Sequence, residues 1–96
     1  MVSLTRRAAE KLRMQKNEGK YIRLQANGEG RKDVNYNLQF TDVVCDDDIL
    51  YMSYGIKILV GGSTRKFFEN IRVDYIGENG TGKFVFNQNQ NYSGEY

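Results

Sequence analysis

The chain contains no histidine, no proline and no tryptophan, and only one cysteine. Each gap closes off a chemistry. Without His there is no Ser-His-Asp triad, no Cys-His pair and no imidazole ligand for a metal. With Cys45 alone, an internal disulfide is impossible and a mononuclear thiolate site lacks its ligands. Long apolar runs are missing too: stretches such as Ile58-Leu59-Val60 fall far short of the ~20 residues that span a bilayer. Met1 to Arg7 carries charge with no apolar stretch behind it, so neither a secretory nor a twin-arginine signal is expected.

What is present describes one small domain. Ninety-six residues, 40% of them hydrophobic, hide roughly 60–65% of the unfolded surface, enough for one modest core. We expect a single domain over residues 1–96, with about 87–96 a polar tail. The net charge of +2 conceals a split. Residues 1–32 hold nine Lys/Arg against three Asp/Glu, whereas residues 33–96 hold five against nine. The chain is dipolar, with a basic front and an acidic remainder.

Local patterns predict mostly strands. Thr5 is a suitable N-cap for a helix whose stripe is Ala8, Ala9 and Leu12; Arg6, Arg7, Lys11, Arg13 and Lys16 fall largely on its solvated side. Asn17-Glu18-Gly19 is the expected end, with Gly19 at the left-handed C′ position. Tyr21 to Ala26 and Tyr36 to Phe40 alternate as strands do. Ile49 to Tyr54 and Ile56 to Val60 flank Gly55 in a tight turn. Val73 to Ile76 and Phe84 to Phe86 flank an Asn-Gly turn signal at Asn79-Gly80. Ser63 could cap a short helix running to Glu69, with Phe67 and Phe68 divided between rim and core.

Several motifs look chemical and are not. Gly77 to Lys83 has phosphate-loop spacing, but Phe84 stands where Ser or Thr must hold magnesium, and a strand follows. Gly28-Glu29-Gly30 lacks its third glycine, which is Asp33. Asp46-Asp47-Asp48 reads as a solvated turn, because consecutive carboxylates on extended chain diverge. Cys45 reads as a small structural thiol, having no basic neighbour in sequence. The seven tyrosines are spread along the chain and read as half-buried packing residues, not as a stacking platform.

In this order the segments resemble the A-type iron–sulfur carrier (HesB/IscA-like) family. The resemblance rests on Leu4-Thr5 with Ala8-Ala9 and Leu12, Ile22-Arg23-Leu24, Tyr36-x-Leu38-x-Phe40, and Gly55-Ile56-Lys57-Ile58-Leu59-Val60. Ile71-x-Val73-Asp74-Tyr75 and Phe84-Val85-Phe86-Asn87 complete it. It implies an α+β, β-rich domain of mixed and antiparallel sheet, with an N-terminal helix and a second short helix. The family carries its cluster on three cysteines, one in a Gly-Cys-Ser-Gly-type loop and two in a Cys-Gly-Cys-Gly tail. Here Arg31 stands at the first position, while Ser93 and Glu95 stand nearest the other two. Clusters need thiolates, and Arg cannot ligate. No cluster, metal or other cofactor is expected, and no enzyme activity.

The leading expectation is a structural or interaction subunit in a larger protein assembly, in multiple copies or as a hetero-oligomer, with a phage virion or tail as one setting. Its localisation would be cytoplasmic or virion-associated, without membrane contact. Arg31 and Lys32 of the remodelled loop, with Tyr92, Glu95 and Tyr96 of the tail, are the expected contact residues, and Arg31 is expected to pair with Glu95. One alternative is a degenerate cluster-assembly factor or regulator, or a carrier using Cys45 across a multimer. A third reading is a nucleic-acid binder using the basic N-terminal helix with Arg31 and Lys32.

Overall fold

A computed structural model describes residues 2–15, 19–28, 34–78 and 81–88. The elements run β1 (Val2–Leu4), α1 (Arg6–Arg13), β2 (Tyr21–Asn27), β3 (Asn35–Thr41), β4 (Asp48–Ser53), β5 (Ile56–Gly61), a 3-10 helix (Gly62–Phe68), β6 (Ile71–Glu78) and β7 (Thr81–Gln88). The strands form two sheets, one ordered β1-β6-β7 and the other β3-β2-β5-β4. Both are mixed: β1 runs parallel to β6 and β2 parallel to β5, while the remaining pairs are antiparallel. The expected α+β class is therefore the observed one.

Alternation decides which side of each strand is buried. Ile22 and Leu24 of β2 and Ile58 and Val60 of β5 point inward. They meet Val2 and Leu4 of β1, Ile71 and Val73 of β6, and the helical stripe Ala8, Ala9 and Leu12. Tyr36, Leu38 and Phe40 complete the layer from β3. Phe68 closes it from the 3-10 helix at 2% exposure, while Phe67 is only partly buried. That is the division between core and rim expected of the pair.

Thr5 caps α1 as expected, accepting from the Ala8 N–H at 3.2 Å and donating to Asp74 Oδ1 at 2.7 Å. The helix then stops at Arg13, well short of the expected Asn17-Glu18-Gly19. The next stripe positions after Leu12 are Gln15 and Lys16, so a further turn would bury nothing apolar. Gly19 is not a helix C′ residue. Its φ is +139°, and an added Cβ would stand 2.8 Å from the Thr41 backbone nitrogen. Glycine is needed there for close approach to the end of β3.

The turn at Gly55 is as expected. Ser53 pairs with Ile56 across a two-residue loop, and both Tyr54 (φ 52°) and Gly55 (φ 77°) are left-handed, as a type I′ turn requires. In the last hairpin Glu78 pairs with Thr81. The Thr81–Gln88 strand rules out a phosphate-binding helix after Gly82-Lys83. Ser63 does not cap the 3-10 helix. Asp47 does, its Oδ2 accepting from the Gly62 N–H at 3.1 Å. The strand β1 was not legible, since three residues offer almost no period; it exists because β6 offers a parallel partner.

Phe68→Ala should cost about 3–5 kcal/mol, the usual range for a fully buried aromatic. Urea unfolding followed by far-UV circular dichroism will read it as a lowered midpoint with little change in slope.

Candidate functional site

The four-stranded sheet sets a geometric problem. β3 and β4 run in the same direction at opposite edges, so the segment between them must return across the sheet. Thr41 pairs with Tyr21 at one end, while Asp48 pairs with Gly61 near the other. Three strand spacings sideways and about four residues lengthwise give roughly 20 Å to cover. Seven Cα steps reach that with little slack. The core side is filled, so the segment crosses the outer face.

Arg23 holds it there. The β2 register turns Arg23 away from the core, and its guanidinium reaches Asp48 Oδ1 at 2.6 Å, Asp48 Oδ2 at 2.7 Å and the Val43 carbonyl at 2.9 Å. Asp48 Oδ2 also accepts from the Cys45 N–H at 2.6 Å. The Asp48 side chain is 1% exposed and that of Arg23 is 16% exposed. Hydrogen bonding to Arg23 holds the Asp48 carboxyl below its ordinary range, against the opposing pull of burial. The same bonds raise Arg23. Leu59, between Arg23 and Leu50 on this outer face, is 1% exposed.

Two expectations are corrected here. Asp46 and Asp47 form the exposed turn expected, with Asp47 also capping the 3-10 helix, but Asp48 opens β4 and its side chain is a buried partner of Arg23. Sequence reasoning missed this because the partner lies 25 residues away. Cys45, expected to be a small structural thiol, is not packed in the interior. It is exposed, and the Arg23 guanidinium that sequence proximity could not reveal lies 3.9 Å from its Sγ.

A second cluster marks the opposite end of the β2–β3 pair. The Tyr36 ring stacks on Phe86 at 5.3 Å between centroids and meets Phe68 edge-on at 5.5 Å. Its hydroxyl donates to the Phe67 carbonyl at 2.9 Å, and burial pushes the phenol pKa up. Tyr36 is the second residue of β3, just after the β2–β3 loop, and Phe86 lies two residues before the end of β7. The stacked pair therefore sets the exit of that loop beside the exit of the C-terminal tail. Arg31, Lys32, Tyr92, Glu95 and Tyr96, the sequence-predicted contact residues, belong to that loop and tail and lie outside the described residues. So does the expected Arg31–Glu95 pair.

The basic N-terminal helix is engaged with its own chain. Arg7 grips Asp74 with two bonds, at 2.7 and 2.8 Å. Together with Thr5 it holds the Asp74 carboxyl far below the usual range. Lys11 sits 5.2 Å over the Tyr75 ring, and Arg13 donates to the Tyr54 carbonyl. No helix among the described residues is long and apolar enough to cross a membrane.

Comparison with known proteins agrees with this architecture. The sequence matches the iron–sulphur cluster biosynthesis family across residues 1–96. The chain belongs to that family. It is 29% identical over 97 residues to the iron-binding protein IscA of Proteus mirabilis, covering 98% of this chain and 90% of that one. It is 31% identical over 78 residues to IscA of Yersinia pestis, covering 81% and 72%. Among solved structures it superposes on IscA with a [2Fe–2S] cluster at a TM-score of 0.74 and 27% identity, over 92% of this chain and 82% of the other. Escherichia coli SufA, at 0.77 and 23% identity over 91% and 84%, shares the fold.

The residues of this chain do not fit a three-thiolate cluster. Its one thiol lies in the β3–β4 crossing, outside both the loop and the tail, beside a guanidinium that repels cations. Among the described residues no three Cys, His, Asp or Glu side chains gather to hold a metal.

Asp48→Asn should destabilise the chain by about 2 kcal/mol, because it leaves Arg23 half-paired under the crossing. The Asp48 pKa is lowered in the folded state, so its contribution is complete above the unfolded value near 4 and disappears as pH falls below it. Urea midpoints measured from pH 7 to pH 3 should therefore fall more steeply for the parent chain than for Asp48→Asn. Parallel curves would exclude the linkage.

Proposed function

We propose that this chain is a non-enzymatic interaction subunit on the iron–sulphur carrier fold, working through protein contacts without holding a cluster. The observation that carries this reading is the donor set: one cysteine, in the β3–β4 crossing. A fold that keeps its core and its two-sheet architecture without the thiolates still offers a shaped surface. Docking in a larger assembly is the finer form of the proposal, with a virion or tail as one setting. What supports it is the charge split along the sequence, part of which is satisfied within the chain by Arg7–Asp74 and Arg23–Asp48.

Family membership along the whole chain favours one other reading, a degenerate assembly factor or regulator that binds cluster-assembly proteins. The two separate on what a tagged chain brings down from its natural source: subunits of a large assembly for the first, iron–sulphur assembly proteins for the second.

Anaerobic incubation with ferrous iron and sulfide, followed by desalting, should leave the protein colourless with substoichiometric iron. Cys45→Ser should behave identically. A stoichiometric visible chromophore that Cys45→Ser abolishes would overturn the cluster-less reading.

A further inference from the structure

The two ends of the four-stranded sheet differ. At the Asn27–Asn35 end stand the loop and tail exits already described. At the Tyr21–Thr41 end, about 20 Å away along β2, the wedge between α1 and the sheet stays open. A cavity of about 430 Å³ lies there, within the range of small-molecule sites. It lies beside the end of α1 at Arg13, where the next apolar residue, Met14, is 77% exposed and does not fill the space.

Its lining has two chemistries. Leu12, Ile22, Phe40 and Ile56 supply an apolar floor, and Arg13, Lys20 and Lys57 supply three cations. Among the described lining residues none is Asp or Glu. Asp42 stands at the rim, and its Oδ1 accepts the Lys20 backbone N–H at 2.9 Å.

The walls are preset. Arg13 is tied to the Tyr54 carbonyl at the two-residue turn, which leaves most of its five N–H donors for a ligand. Lys57 rests 5.8 Å over the Tyr21 ring. Gly19 permits the close approach to Thr41 that shuts the side next to β3.

We propose that this cavity binds a small amphipathic anion, a carboxylate head on an apolar chain, with the head among Arg13, Lys20 and Lys57 and the chain on Phe40 and Ile56. The proposal stands independently of the cluster question, since every described lining residue sits toward the Tyr21–Thr41 end and not at the Asn27–Asn35 end. An anion without an apolar body would leave the floor wet. A neutral apolar molecule would offer no charge to Arg13, Lys20 and Lys57.

The test uses the full chain and the anionic fluorophore 8-anilinonaphthalene-1-sulfonate, displaced by decanoate below its micellar concentration. Decanoate should displace the probe at concentrations at least about tenfold below those needed for acetate or decanol, a gap of about 1.4 kcal/mol or more. The double substitution Arg13→Gln with Lys57→Gln should weaken decanoate at least about tenfold with the circular dichroism spectrum unchanged. Amide shifts on adding decanoate to the parent chain should cluster at residues 19–22 and 55–57, a readout that does not depend on the variant's stability. Equal displacement by decanol, undiminished decanoate affinity in the folded double variant, or shifts confined to the exposed Val43, Val44 and Leu50 surface would each overturn the proposal.

Discussion

The Arg23–Asp48 pair is the contact on which the outer half of this fold depends. Two strands at opposite edges of one sheet run the same way, and a segment of six residues must cross between them. An unsupported crossing would leave backbone groups and Leu59 exposed on the outer face. Arg23 supplies a planar fork that takes both Asp48 oxygens and the Val43 carbonyl together, a geometry that a lysine ammonium does not offer. Asp48 passes the constraint on through the Cys45 N–H, and Asp47 next to it starts the 3-10 helix that delivers Phe68 to the core. One polar cluster on the outer face thus fixes an aromatic packed on the inner one.

The inner side rests on apolar packing between the two sheets and α1, and it organises the molecule's ends differently. At one end Tyr36 stacks on Phe86 and joins the β2–β3 pair to the last hairpin. That aromatic junction sets the start of β3 beside the end of β7. At the other end the helix is short and the wedge gapes, with cations around an apolar floor. The first end is closed by aromatic packing. The second owes its chemistry to an architecture that stops one turn early.

Much of the fold was legible from alternation, because a period of two in Tyr21 to Ala26 or Tyr36 to Phe40 is a direct consequence of one buried face. The Thr5 cap, the Gly55 turn and the division of Phe67 from Phe68 were legible for equally local reasons. The end of α1 was not, since Gly19 is required by its closeness to Thr41 and not by the helix. Ser63 misled because its competitor, Asp47, comes from another element. β1 was too short to show a period, and it is held by a partner some seventy residues later.

By itself the sequence determined the strand order of burial, the family and the absence of three thiolates, all properties of residue identity and short-range spacing. Only the tertiary structure decided that Asp48 is buried, that Cys45 faces solvent beside Arg23, and that Arg13, Lys20 and Lys57 surround one cavity. Those facts depend on pairs far apart along the chain, which register and packing bring together. No local pattern encodes such a meeting, because its energy comes from groups that share a surface only after the sheets have closed.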